Sequence, residues 1–159
     1  MNIKIVCVGK IKEKFYRDAV AEYEKRLSRY CKLQIVEVAD EKTADHCSQT
    51  ESLQVREKEA NRLLSHIKDT EYVIALAIEG KAPDSPGLAR QLEQLALNGK
   101  SSLVFVIGGS LGLHPTVMKR ADEAISFSAM TFPHQLMRVI LLEQIYRSYR
   151  ILNNEPYHK

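Results

Sequence analysis

Residues able to do chemistry are thinly spread in this 159-residue chain, and the densest group is Phe127–His134, Phe-Ser-Ala-Met-Thr-Phe-Pro-His. It follows a short alternating run, Ala124–Ser128, and precedes the longest helix-patterned stretch of the sequence. A strand end, a compact turn and a helix start therefore meet there, the place where open α/β folds bind ligands. A second candidate is Gly108-Gly109-Ser110-Leu111-Gly112, after the apolar run Leu103–Ile107. Its glycines miss the Gly-x-Gly-x-x-Gly spacing of a dinucleotide site, Pro115 delays any helix, and no Walker lysine follows. They read either as a tight turn without a ligand or as a close backbone approach to one. No His-Glu-x-x-His occurs, and spacing assembles no Ser-His-Asp, Cys-His or Glu-His set, so hydrolysis has no support. The three cysteines, Cys7, Cys31 and Cys47, form no Cys-x-x-Cys pair, which argues against a zinc site or a disulfide framework. His46 and His66 have no partner at ligand spacing, so no metal is expected.

The elements that must hold these residues alternate between strand and helix. Lys4–Val8 alternates up to Gly9 and reads as a strand. Phe15–Tyr30 follows as an amphipathic helix, with Phe15, Tyr16, Ala19, Val20, Tyr23, Leu27 and Tyr30 on one face. Its other face carries Lys14, Arg17, Lys25 and Arg29. That stripe is either a solvated face or, with Lys10 and Lys12 upstream, a phosphate-contacting surface. Leu33–Val38 is a second strand, and Ser48–Glu51 fits a capping box opening a helix. Tyr72–Ile78 and Leu103–Ile107 are continuous apolar runs, as strands covered on both faces require. Glu79-Gly80-Lys81 is expected to end the first of them. Between them Ser85-Pro86 reads as cap and first turn of a helix that Gly99 ends. Pro115–Ala121 is a short helical patch and Ile125–Phe127 a strand. This alternation predicts βαβ units and a mostly parallel sheet flanked by helices, in one α/β domain over residues 1–159.

The net charge of +3 is too small to bind nucleic acid by bulk charge alone. No run approaches the roughly 20 apolar residues of a membrane span, and the start lacks a secretory cleavage pattern. A cytoplasmic protein without membrane contact is expected. The last helix, Pro133–Leu152, is apolar around much of its circumference, with Arg138, Glu143, Arg147 and Arg150 as its polar remainder. A helix apolar on two sides is buried on two sides, which predicts a two-fold contact with a second subunit. Arg147 four residues after Glu143 reads as a structural pair. Composition gives the polar tail Asn153–Lys159 little weight.

Val104–Ser110 (Val-Phe-Val-Ile-Gly-Gly-Ser), Ser126–Arg138 (Ser-Phe-Ser-Ala-Met-Thr-Phe-Pro-His-Gln-Leu-Met-Arg) and the terminal Tyr157-His158-Lys159 together resemble the ribosomal large-subunit methyltransferase H family. Val8-Gly9-Lys10 and Glu22–Leu27 extend the match to essentially the whole chain. The resemblance implies a SPOUT-class fold with a C-terminal trefoil knot, working as a homodimer. It implies S-adenosyl-L-methionine as cofactor and N3 of a pseudouridine in 23S ribosomal RNA, within the ribosome, as methyl acceptor. Carried over by motif, the cofactor-binding residues are Leu76, Gly108 and Phe127, Ser128, Ala129, Met130, Thr131 and Phe132. On that reading His158 takes the N3 proton, Tyr157 positions the base, and Arg138 stabilises charge on the flanking carbonyls. His134, at the helix start, reads as structural. The competing readings are a non-catalytic RNA- or ribosome-binding dimer and a SPOUT methyltransferase acting on transfer RNA.

Overall fold

A computed structural model describes residues 1–159 as an alternation of strand and helix. The order is β1 (Asn2–Val8), α1 (Lys14–Leu27), β2 (Lys32–Val38), α2 (Gln49–Leu64) and β3 (Tyr72–Lys81). Then come α3 (Ser85–Leu97), β4 (Ser102–Ile107), α4 (Pro115–Arg120), β5 (Glu123–Ile125) and α5 (His134–Leu152). The strands form one five-stranded sheet in the order β2-β1-β4-β3-β5, and every neighbouring pair is parallel. Such a sheet must be covered on both faces, and side-chain alternation divides the core accordingly. Ile3, Ile5, Cys7, Leu103, Phe105 and Ile107 pack with α1, α3 and α5. Val6, Val8, Val104 and Val106 pack with α2 and α4.

Several local signals act as the sequence suggests. Ser48 caps α2 by accepting from the Glu51 amide at 3.1 Å, and Gly99, at φ +80°, follows the end of α3. The α3 cap differs: Asp84, not Ser85, accepts from the Gly87 amide at 2.7 Å. Ser85 lies in the first turn and donates to Gln144 on α5 instead. An acidic side chain one residue upstream outcompetes the hydroxyl because a carboxylate is the stronger acceptor. β5 is also displaced, to Glu123–Ile125, since the chain from Ser126 onward bends into the turn. Phe15, placed by periodicity on the buried face of α1, is 64% exposed. It lies in the first turn, ahead of the buried Val20 and Leu27.

β3 runs past Ile78 to Lys81, so Glu79-Gly80-Lys81 continues the strand rather than ending it. Its pairing with β5 is irregular there, with both Leu76 and Lys81 opposite Ile125, and Ser126 donates its amide to Lys81 O at 2.7 Å. The close passage depends on Gly80. A Cβ at that position would lie 2.6 Å from Ala124 C and 2.7 Å from Ile125 N. Gly80→Ala is therefore expected to destabilise the fold by about 1–3 kcal/mol through forced backbone displacement. A urea midpoint equal to that of the parent protein would contradict the contact.

α5 packs against both α1 and α3 and buries Leu141, Leu142, Ile145 and Tyr146. Much of the apolar circumference that suggested a second subunit is thus covered by helices of the same chain. Leu136, Val139 and Ile140 remain half-buried. Cys7 and Cys31 are buried free thiols, and burial pushes Cys7 up to about 11, which makes it an inert packing group. No helix is long and apolar enough to cross a membrane.

Candidate functional site

The carboxyl ends of β3, β4 and β5 open into one cavity of about 320 Å³. Leu76 to Ile78 of β3 form one wall, Gly108–Leu113 after β4 a second, and the turn after β5 a third. Of the residues predicted to bind cofactor, Leu76, Gly108, Phe127, Ser128, Met130, Thr131 and Phe132 all line this cavity. Ala129 is exposed and does not line it. His134 and Met137, from the first turn of α5, complete the lining.

Local chemistry shapes each wall. Ser126 Oγ donates to Ser128 O at 3.1 Å, and Ser128 Oγ accepts from the Met130 amide at 2.9 Å. These two hydroxyls fold the turn on itself, as serine does where backbone groups lack ladder partners. The glycine loop closes through the Gly112 amide to Gly109 O, 3.1 Å, with Gly112 at φ +85°. A Cβ on Gly108 would sit 2.9 Å from Gly112 C and O. The fold therefore needs glycine at 108 to bring that backbone to the cavity wall.

No lysine, arginine, aspartate or glutamate lines the cavity. Apolar side chains, backbone amides and carbonyls, four hydroxyls and one imidazole are what it offers. Burial, and then the nearby Arg138 guanidinium, lower the pKa of His134 below the ordinary histidine value, opposed by Asp40. Its ring is accordingly neutral at pH 7. Such a surface can hold a flat, uncharged aromatic group by stacking and backbone hydrogen bonds, and it has nothing to neutralise a phosphate. No cluster of three or more His, Cys, Asp or Glu side chains is placed to hold a metal ion.

Arg138 lies one turn beyond His134 and is 1% exposed. Its Nη2 donates to Val8 O at 2.9 Å and Gly9 O at 2.6 Å, and its Nη1 donates to Glu37 Oε2 at 2.6 Å. The guanidinium thus joins α5 to the ends of β1 and β2, and it is not among the groups lining the cavity.

Tyr157 and His158 also lie away from the cavity within one chain. Tyr157 donates to Glu143 Oε1 at 3.0 Å and meets the Tyr146 ring edge-on. Burial, and then Glu143, push its hydroxyl up to about 12. His158 Nδ1 stands 3.1 Å from Arg147 Nη1. A guanidinium has only donors, so Nδ1 accepts and the ring proton sits on Nε2. Glu143 and Arg147, paired at 2.6 Å, lie about 14 and 20 Å along α5 from His134 at 1.5 Å per residue.

Glu59 went unnoticed in the sequence. It is 5% exposed on α2, accepts from the Glu41 amide at 3.1 Å, and burial raises its pKa. A Cβ on Gly109 would lie 3.3 Å from its Oε1, so the carboxylate backs the glycine loop. An acid beside Ala60 and Leu63 on the apolar face of α2 was the available signal.

A family model described as "Predicted SPOUT methyltransferase" matches residues 1–158. "Ribosomal RNA large subunit methyltransferase H" of Bifidobacterium animalis subsp. lactis is 60% identical over 159 residues, covering 100% of both chains. The Clostridium novyi protein of that name is 58% identical with the same coverage. Among solved structures, a probable methylase family protein from Haemophilus influenzae superposes with TM-score 0.56 at 12% identity. It covers 99% of this chain and 70% of that one. A putative methylase family protein from Neisseria gonorrhoeae gives 0.54 at 14% identity, covering 99% and 85%.

Proposed function

From a chain that belongs to the SPOUT methyltransferases, and within them to the ribosomal RNA large subunit methyltransferase H family, we propose a specific reaction. The enzyme transfers a methyl group from S-adenosylmethionine to N3 of a pseudouridine in 23S ribosomal RNA on assembled ribosomes. It acts in the cytoplasm as a homodimer of one-domain protomers, each with a knotted C-terminal third. The observation that carries the reading is the convergence of Leu76, Gly108, Phe127, Ser128, Met130, Thr131 and Phe132 on one cavity without a charged side chain. The near-contact of Gly80 with the Ala124–Ile125 backbone supports a chain threaded tightly at this point.

When bound, S-adenosylmethionine supplies a methyl group on a sulfonium that is already a good leaving group. What remains for the protein is position and alignment. Phe127–Phe132 hold adenine through backbone groups and apolar side chains, and the glycine loop lets backbone approach the ligand closely. His158 takes the N3 proton of the acceptor, and Tyr157 positions the base. The 14–20 Å separation along α5 supports a site in which these tail residues serve the cavity of the other protomer. To act as base at Nδ1, His158 must first leave Arg147. We assign Arg138 a positioning role in place of the oxyanion role, because Nη1 and Nη2 are engaged by three acceptors, Nε is buried without a partner, and none of the guanidinium lines the cavity.

Calorimetry with S-adenosylmethionine, followed by methyl transfer to ribosomes, free 23S RNA and transfer RNA, tests the reading. Micromolar cofactor binding and transfer to ribosomes are expected. Transfer to transfer RNA alone would overturn the acceptor, and absence of cofactor binding would leave a non-catalytic ribosome-binding dimer.

A further inference from the structure

The β1–α1 connection, residues 9–13, is an exposed loop held unusually firmly. The Ile11 amide donates to Glu37 Oε2 at 3.1 Å and the Lys12 amide to Gln135 Oε1 at 3.3 Å. Arg17 Nη1 donates to Lys12 O at 2.7 Å and Ile11 O at 3.4 Å, while Arg138 grips Gly9 O at 2.6 Å. Gln135 is the neighbour of His134, and a Cβ on Gly9 would lie 3.5 Å from His134 Nε2. The loop is therefore fixed to the edge of the cavity.

This scaffold presents Phe15, 64% exposed, with Tyr16 tilted beside it at 4.4 Å between ring centroids. Lys10 and Lys12 are exposed and carry no ion pair. Among the acidic neighbours, Asp18 pairs with Lys14 at 2.8 Å and Glu37 with Arg138, while Glu13, the N-cap residue of α1, makes no capping hydrogen bond and leaves one free carboxylate against the two free lysines. Of the basic stripe on α1, Lys14 pairs with Asp18, Arg17 is spent on loop carbonyls and Arg29 lies over Tyr30. Lys25 is exposed and unpaired but lies about 15 Å along the helix from Phe15, so the free cations of the segment around Phe15 are Lys10 and Lys12.

An exposed aromatic ring in the same short segment as two unpaired lysines is suited to stacking a base and gripping nearby phosphates. We infer that the Lys10–Phe15 segment docks an unpaired nucleotide of the RNA substrate, Phe15 stacking on the base and Lys10 and Lys12 contacting adjacent phosphates. The inference rests on an RNA acceptor but not on which RNA is methylated. Rigidity is what makes the device effective, since the ordering cost is met in folding rather than in binding.

The probe is a fluorescent 12-nucleotide single-stranded RNA of mixed sequence, whose binding is read without methyl transfer. Phe15→Ala is expected to weaken it by about tenfold, and Phe15→Tyr to retain it. Lys10→Gln/Lys12→Gln is expected to flatten the slope of log affinity against log salt by about 1.4, at 0.7 per single-strand phosphate contact. On the methylated substrate the same variants should raise KM with kcat and cofactor affinity unchanged. Unchanged RNA binding in Phe15→Ala overturns the inference, as does a shift of that variant from dimer to monomer in sedimentation, which would make Phe15 a subunit contact. Failure of the parent enzyme to methylate ribosomes, with RNA binding still dependent on Phe15, would instead remove the proposed acceptor and leave the docking loop standing.

Discussion

Removing Tyr157–Lys159 is expected to lower methyl transfer by about 10²–10⁴-fold, the range contributed by a positioned acid–base group. Cofactor binding and the fold should survive. The anchor of the tail lies upstream of the cut, where Glu155 accepts from Tyr30 at 2.8 Å and Arg150 at 2.5 Å, and Arg150 Nη2 donates to Pro156 O at 3.0 Å. Glu143, which loses the Tyr157 hydroxyl, keeps its contact with Arg147. The structural loss is then the Tyr157–Glu143 and His158–Arg147 hydrogen bonds, the edge contact with Tyr146 and the stacking of Arg147 on Tyr157, together about 2–4 kcal/mol at this partly exposed site. Calorimetry with S-adenosylmethionine and circular dichroism establish the intact fold, and turnover then reads the tail alone. Mixing the truncated protein with a variant whose cavity is blocked by Thr131→Trp, at an exposed lining position, sharpens the test. Mixed dimers should regain part of the activity when tail and cavity come from different protomers. Full activity of the truncated protein would sink the role of the tail.

The architecture was legible because its elements have unambiguous periods. Tyr72–Ile78 and Leu103–Ile107 are continuous apolar runs, which only a strand covered on both faces needs, and helical patterns separate them. Local competition blurred the ends. Asp84 took the cap expected of Ser85, and β3 overran into Glu79-Gly80-Lys81 because Gly80 allows a backbone approach that no periodicity records. Two walls of the cavity were legible in the same way, as strand ends followed by glycine- or serine-containing turns, whereas Leu76, inside β3, came only from the family resemblance. The role of Arg138 was not legible. The family resemblance suggested it as a site residue, and its three acceptors come from residues about 100–130 positions earlier in the chain. Nothing local in Val8-Gly9 or Glu37 announces them. Phe15 failed for the opposite reason, since helical spacing places it on the core face although α1 has only begun to meet the sheet there.

Arg138→Ala is expected to cost about 3–5 kcal/mol of stability, as removing one partner of a buried charge network does. The Val8 and Gly9 carbonyls would be left beside an apolar cavity, and Glu37 would lose its closest cation. Because the Glu37 side chain is 35% exposed, water relieves part of its loss and favours the lower end of that range. Arg138→Lys keeps the charge but offers one compact ammonium where three divergent acceptors wait, so an intermediate loss is expected. Urea unfolding should show a lower midpoint at unchanged slope. A double-mutant cycle with Glu37→Gln should give a coupling of about 1–2 kcal/mol. The loop that presents Lys10 and Lys12 hangs on the same guanidinium through Gly9 and on Glu37 through Ile11. Variants at 138 should therefore raise KM for RNA before they touch cofactor affinity. The opposite pattern, a stable Arg138→Met protein with intact KM and kcat reduced by 100-fold or more, would return the guanidinium to the reacting centre.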